Sequence, residues 1–212
     1  MKGGVSASAV KDAIDLASLR ATEVDRAFYL RDARVVARAM VGTYLVHAPR
    51  GERARAVRIV ETEAYCGPKD LACHARAGLT KRTRTLLGEP GHAYVFLIYG
   101  MYDCFNVTCR RAGSGHAVLV RGGEPVLGID ESVRADGPGK LTRALGITRS
   151  DDGRDLTGET LFLAARTKRP RIAVTARVGV GYAGEWADRP WRFVDAKSEH
   201  ASRPSKKLMG RG

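Results

Sequence analysis

Glu61, Glu63, Tyr65 and His74 fall within one short stretch, VRIVETEAYCGPKDLACH, from Val57 to His74. Together they could take a proton, stack on a ring and donate a hydrogen bond. The stretch opens as a strand. Alternation puts Val57, Ile59, Glu61 and Glu63 on one face and Ala56, Arg58, Val60, Thr62 and Ala64 on the other. An apolar strand gains no packing by ending in two carboxylates and a tyrosine, so the sequence reads as one side of a polar pocket. The plainer alternative makes Glu61 and Glu63 solvated ends of an edge strand and His74 an ordinary loop residue. Cys66-Gly67-Pro68 then turns the chain towards His74.

Other elements must hold these groups in place. Asp32 is placed to cap a helix with Val35, Val36, Ala39 and Met40 on one stripe and Arg34 and Arg38 on another, closed at Gly42. Thr43 to Val46 reads as a short strand, and Arg55 to Tyr65 follows it. Ala75 to Gly91 has little periodicity and carries Arg76, Lys81, Arg82 and Arg84, which suits a loop that meets phosphates. AYVFLIY, Ala93 to Tyr99, is a strand with Tyr94, Phe96 and Ile98 on one face. Cys104 to Cys109 resumes the extended pattern, which makes Tyr99 to Asp103 a hairpin tip. His116 to Arg121 is a further strand, ended by Gly122-Gly123-Glu124-Pro125, and the economical arrangement is an antiparallel meander.

Gly137-Pro138-Gly139-Lys140-Leu141 opens a helix through Leu145, with Gly146 as its stop, and its free amides beside Lys140 suit a phosphate. It is not a P-loop, because the earlier glycine is missing and Leu141 follows the lysine. Leu161 to Ala165 and Arg171 to Val174 are later strands. Gly179 to Gly184 spells GxGxxG, but Trp186 and Pro190 interrupt any following helix, so it reads as a turn. The expected organisation is a lead-in over residues 1–25, one domain over 26–196 and a basic tail over 197–212.

At 212 residues the chain can bury one real core. Lysine and arginine number 36 against 23 acidic residues, a net charge of +13, and such a field favours a polyanion, nucleic acid before membrane. No apolar run approaches the roughly 20 residues of a membrane helix. The spacings of Cys66, Cys73, Cys104 and Cys109 contain no CxxC pair, which argues against a zinc knuckle. Met1 to Ala17 has no uninterrupted apolar core and so no signal-peptide pattern, which favours reduced thiols in a cytosol.

VETEAYCGPKDLACH (Val60 to His74), YVFLIYGMYDCFNV (Tyr94 to Val107) and LVRGGEP (Leu119 to Pro125) together resemble the alkyladenine, or 3-methyladenine, DNA glycosylase family. The resemblance continues through GPGKLTRALGI (Gly137 to Ile147) and ARVGVGYAGEWADRPWRF (Ala176 to Phe193). It implies an α+β fold: a single mixed domain with a curved antiparallel sheet, surrounding helices and a protruding β-hairpin that enters DNA. It implies a monofunctional N-glycosylase that flips alkylated, and deaminated, purines out of duplex DNA and leaves an abasic site. Glu63 then falls on the water-activating glutamate and Arg121 on the arginine that helps place the water. Tyr65, His74, Phe96 and Asn106 fall on the positions around the flipped base, and Tyr99 on the side chain inserted into the duplex. Arg82, Arg84 and Lys140 are the expected backbone contacts.

The chemistry agrees with these types. A stacked base is out of reach until it rotates out, and a tyrosine at a hairpin tip can fill the gap it leaves. Tyr65 and Phe96 offer π-faces that would favour a cationic alkylated base. A strand pair at i, i+2 stands about 7 Å apart at Cα, so Glu61 could suggest a two-carboxylate glycosidase. A purine leaving group needs less acid help, which assigns Glu61 to structure. The pocket motifs contain no lysine for a Schiff base. No metal or cofactor is expected. The partner is double-stranded DNA with damaged bases, with no membrane, and the protein a monomer in a bacterial-type cytoplasm, associated with the nucleoid. Phe96 stands where many relatives carry tyrosine, and Ser198 to Pro204 lacks the family's usual Trp/Tyr-Val-Ser ending. The competing function is a non-catalytic binder of damaged DNA.

Overall fold

The structure is a computed structural model that describes residues 14–98, 100–130 and 132–202. Three short helices lead in: α1 (Leu16–Arg20), α2 (Arg26–Tyr29) and α3 (Ala33–Met40). The strands are β1 (Tyr44–His47), β2 (Arg55–Cys66), β3 (Ala93–Ile98), β4 (Tyr102–Cys109), β5 (His116–Leu127), β6 (Leu161–Ala164), β7 (Ile172–Thr175) and β8 (Arg192–Asp195). Helix α4 (Pro138–Leu145) lies between β5 and β6. Among the described residues these eight strands form one antiparallel sheet in the order β3-β4-β5-β2-β1-β6, with β8 pairing with β2 and β7. This is the expected α+β class. Among the described residues no helix is long and apolar enough to cross a membrane.

Helix α3 starts at Asp32, whose carboxylate accepts from the Arg34 amide. Its buried stripe is Ala33, Val36, Ala37 and Met40, while Val35 is about half exposed. The stripe predicted through Val35 and Ala39 was therefore rotated: the i, i+3, i+4, i+7 set begins at Ala33. Helix α4 stops at Gly146, whose left-handed backbone closes it as expected. Between His74 and Ala93 the chain makes one 3-10 turn, His74–Ala77, and otherwise loops, as the lack of periodicity implied.

β2 is the organising strand, and it is central rather than an edge: it pairs with β1, β5 and β8. Glu61 and Glu63 are both completely buried, which removes the solvated-end alternative. Strict alternation along β2 also fails. The register against β5 slips on both sides of Glu61, so that Val60 and Arg121 are the extra residues. Val57 and Ile59 share a core cluster with Ala64, from the predicted opposite face, and Ala56 belongs to a separate cluster. The bulge thus takes Glu61 and Glu63 off the Val57–Ile59 face.

β5 does not end at Gly122-Gly123 but runs to Leu127. The glycines serve close approach rather than a turn. A Cβ on Gly123 would lie 2.6 Å from Cγ2 of Val57, and one on Gly122 would lie 2.9 Å from the His200 carbonyl oxygen. Gly123→Ala is expected to cost about 1–3 kcal/mol of stability through that overlap. Urea denaturation measures it; an unchanged midpoint would mean that Val57 yields freely.

Candidate active site

A cavity of about 670 Å³ lies within the range of small-molecule sites. Its wall gathers residues from every segment singled out in the sequence: Tyr65 from β2, His74 from the 3-10 turn, Phe96 from β3, Asn106 from β4 and Arg121 from β5. The start of α4, Gly137 to Lys140, also opens on it, as does the segment Val178–Val180.

Glu63 sits one layer beneath this wall, completely buried. Its Oε2 accepts from the Tyr65 hydroxyl at 2.9 Å, and its Oε1 accepts from the Val178 amide at 2.7 Å. Arg121 approaches both oxygens more loosely, at 3.4 and 3.5 Å. Burial pushes Glu63 above the ordinary carboxylate value and outweighs the opposite pull of Arg121, the Val178 amide and Tyr65. Three donors favour the anion, but desolvation makes the carboxylate a stronger base.

Arg121 is held chiefly by Glu61. Its Nε donates to Glu61 Oε1 at 3.0 Å. Glu61 also accepts from Arg192 Nε at 2.7 Å, from the Ser202 hydroxyl at 2.8 Å and from the Ser202 amide. Two carboxylates and two guanidiniums therefore form a neutral buried knot, with Glu61 as its anchor. Sequence reasoning placed Glu61 in structure but missed Arg192 and Ser202. β8 had not been recognised, and nothing local marks a serine near the end of the chain as a partner of β2.

The aromatic side is equally tied. His74 Nδ1 lies 3.0 Å from the Tyr94 hydroxyl, and its ring meets Phe96 edge-on at 4.6 Å between centroids. Tyr94 was missed as a site residue, although alternation had put it on the Phe96 face. Asn106 lies inside β4 opposite Tyr94 and donates to the Tyr94 carbonyl at 3.1 Å. Each ring expected to embrace a cationic base already carries a guanidinium: Arg82 lies 4.9 Å from the Phe96 centroid and Arg177 4.8 Å from that of Tyr65. Cation–π selection thus has a competitor on both rings.

Burial first, and Arg82 second, lower the His74 pKa to about 4 from an ordinary 6.5, so the ring is neutral across the physiological range. Because the unfolded chain binds that proton more readily, stability contributed by neutral His74 is complete above about pH 6.5 and is lost as pH falls towards 4. His74→Gln is expected to flatten the fall in thermal midpoint over that interval. A slope identical to the wild type would exclude His74 as its source.

Of the expected backbone contacts, Arg84 is exposed, and Arg82 is exposed while leaning over Phe96. Lys140 donates to Asp136 at 3.0 Å and is about half exposed at the mouth of the cavity. β3 and β4 pair from Ala93–Val107 to Ile98–Tyr102, so the connection is shorter than the predicted Tyr99–Asp103 tip. Tyr99, the expected intercalating residue, lies outside the described residues.

Residues 27–199 match the methylpurine-DNA glycosylase family. A relative from Anaeromyxobacter dehalogenans (strain 2CP-C), named as a candidate 3-methyladenine DNA glycosylase, is 53% identical over 86% of this chain and 88% of its own. Relatives with the same name from Myxococcus xanthus and Methanocella arvoryzae are 51% and 47% identical. They match 83% and 84% of this chain and 91% and 94% of their own lengths.

Proposed function

The chain belongs to the methylpurine-DNA glycosylase family and is a DNA N-glycosylase for alkylated bases, and from that premise we propose that Glu63 activates the water that displaces the base. The observation that carries this reading is the buried Glu63 carboxylate, fixed by Tyr65 and Val178 directly behind an aromatic-lined cavity. A flipped purine lies between Tyr65 and the His74–Phe96 wall. A water enters between Glu63 and Arg121, where the contacts are longest. Glu63 takes its proton, and the resulting negative water oxygen attacks the anomeric carbon as the base departs.

Neutral His74 presents Nε2 to the base edge while Nδ1 is engaged by Tyr94. It can donate there to hypoxanthine or an alkylated purine without adding charge. Tyr99 is proposed, from the sequence, to fill the gap in the duplex, and the α4 start with Lys140 to meet a phosphate. The chain acts as a monomer on damaged duplex DNA.

The test incubates the purified protein with methylated or hypoxanthine-containing duplex DNA and measures free base and alkali-labile sites. Release of 3-methyladenine supports the reading, and release of hypoxanthine extends it to deaminated purines. Salt-dependent binding without release would favour the non-catalytic binder instead.

A further inference from the structure

We propose that Asp32, Cys66 and His116 bind a single divalent ion of the zinc class, on the side of the sheet away from Glu63. The three residues come from separate elements. Asp32 caps α3, Cys66 ends β2 and His116 opens β5, where it is the cross-strand partner of Cys66. One ligand atom from each lies within 4.8 Å of the other two. Thr62, two residues after the bulge, donates its hydroxyl to the Ala37 carbonyl of α3, and Cys66 packs against the same core. The cluster therefore lies under α3, while Tyr65 turns its hydroxyl to Glu63.

A second observation points to a ligand there. His116 is only 5% exposed, and its Nδ1 is fully buried with no hydrogen-bond partner among the described residues. The nearest carboxylate oxygen, Oδ2 of Asp32, is 3.9 Å away, beyond a hydrogen bond. Leaving a buried ring nitrogen unpaired is costly, and a metal bond would satisfy it. Thiolate, imidazole and carboxylate form a borderline-soft donor set suited to tetrahedral zinc, with a water in the fourth position. On binding, the Cys66 thiol releases its proton to solvent as the sulfur–metal bond forms.

The two arginines at the site fit unequally. Arg34 donates to both oxygens of Asp32, at 2.7 and 3.2 Å, and can stay as an outer partner of a ligating carboxylate. Arg110 donates to His116 Nε2 at 3.0 Å. Ligation through Nδ1 puts the ring proton on Nε2, so that contact must open. Arg110 is an exposed residue just after β4, and its side chain can turn to water. Bound metal would tie the cap of α3 to the strand that carries Glu63 and Tyr65. It would stabilise the fold without taking part in base release.

The experiment titrates the chelator-treated, reduced full chain with cobalt(II), then with zinc. One equivalent of cobalt should give a thiolate charge-transfer band, which zinc removes, and zinc should raise the thermal midpoint. Cys66→Ser and Asp32→Asn should lose or weaken the band, whereas Cys104→Ser should keep it. Absence of the band in the wild type, or its persistence in Cys66→Ser, would overturn the proposal. Should Cys66→Ser fail to fold, Asp32→Asn together with alkylation of Cys66 protected by zinc decides the matter: unprotected alkylation counts against it.

Discussion

Glu63→Gln is expected to slow base release by about 10²–10⁴-fold while leaving affinity for damaged duplex nearly unchanged. Glutamine keeps the shape, and its carbonyl can still accept from Tyr65. Its amide cannot take a proton from water, and it removes the charge that faces Arg121 and the developing sugar cation. Single-turnover release from a methylated duplex, with binding measured separately, checks both halves. Wild-type rate against pH gives an independent reading. Activity needs the unprotonated carboxylate, and burial raises the Glu63 pKa, so the acid limb should lie above the ordinary value of 4.5. Undiminished release by the glutamine variant would remove Glu63 from the chemistry.

Asp70→Asn should be the most destabilising single-atom-scale change near the site. Asp70 and Arg177 are an ion pair with both side chains wholly buried. Asp70 accepts two bonds from Arg177, at 2.6 and 2.9 Å, and further bonds from the Cys66 and Ala72 amides. Arg177 in turn donates to the Ala64 and Trp186 carbonyls and lies over the Tyr65 and Trp191 rings. Neutralising one partner strands the other charge, at a cost of about 3–5 kcal/mol. In a domain of this size that lowers the thermal midpoint by roughly 6–20 °C. Adding Arg177→Met to Asp70→Asn should recover part of the loss, since removing both charges leaves none stranded. A midpoint unchanged by Asp70→Asn would show that the pair holds nothing up. Release should slow as well, because Arg177 precedes Val178, whose amide fixes Glu63.

Local pattern was a good guide wherever a segment's own chemistry set its structure. The Asp32 cap, the Gly146 stop, the β3 strand and the basic loop after His74 all follow from short-range rules, and they appear where expected. The same rules misled at Gly122-Gly123. Glycine favours a turn in isolation, but here it admits Val57 and the His200 backbone to a continuing strand. They misled again at Val60, where a bulge that no residue type announces reverses the alternation.

The amino-acid sequence alone offered the residue types of the candidate site: spacing put a carboxylate, a tyrosine and an imidazole in one stretch, and the family resemblance added the second aromatic and the arginine. Only the tertiary structure decided how they are held. Glu61 is an anchor because Arg121, Arg192 and Ser202 converge on it from β5, β8 and the segment after β8. The Glu63 carboxylate titrates above its ordinary value because complete burial outweighs the bonds it accepts from Tyr65 and Val178. Contacts between segments remote along the chain leave no local periodicity, and desolvation depends on everything packed around a group, so neither is written in any one stretch.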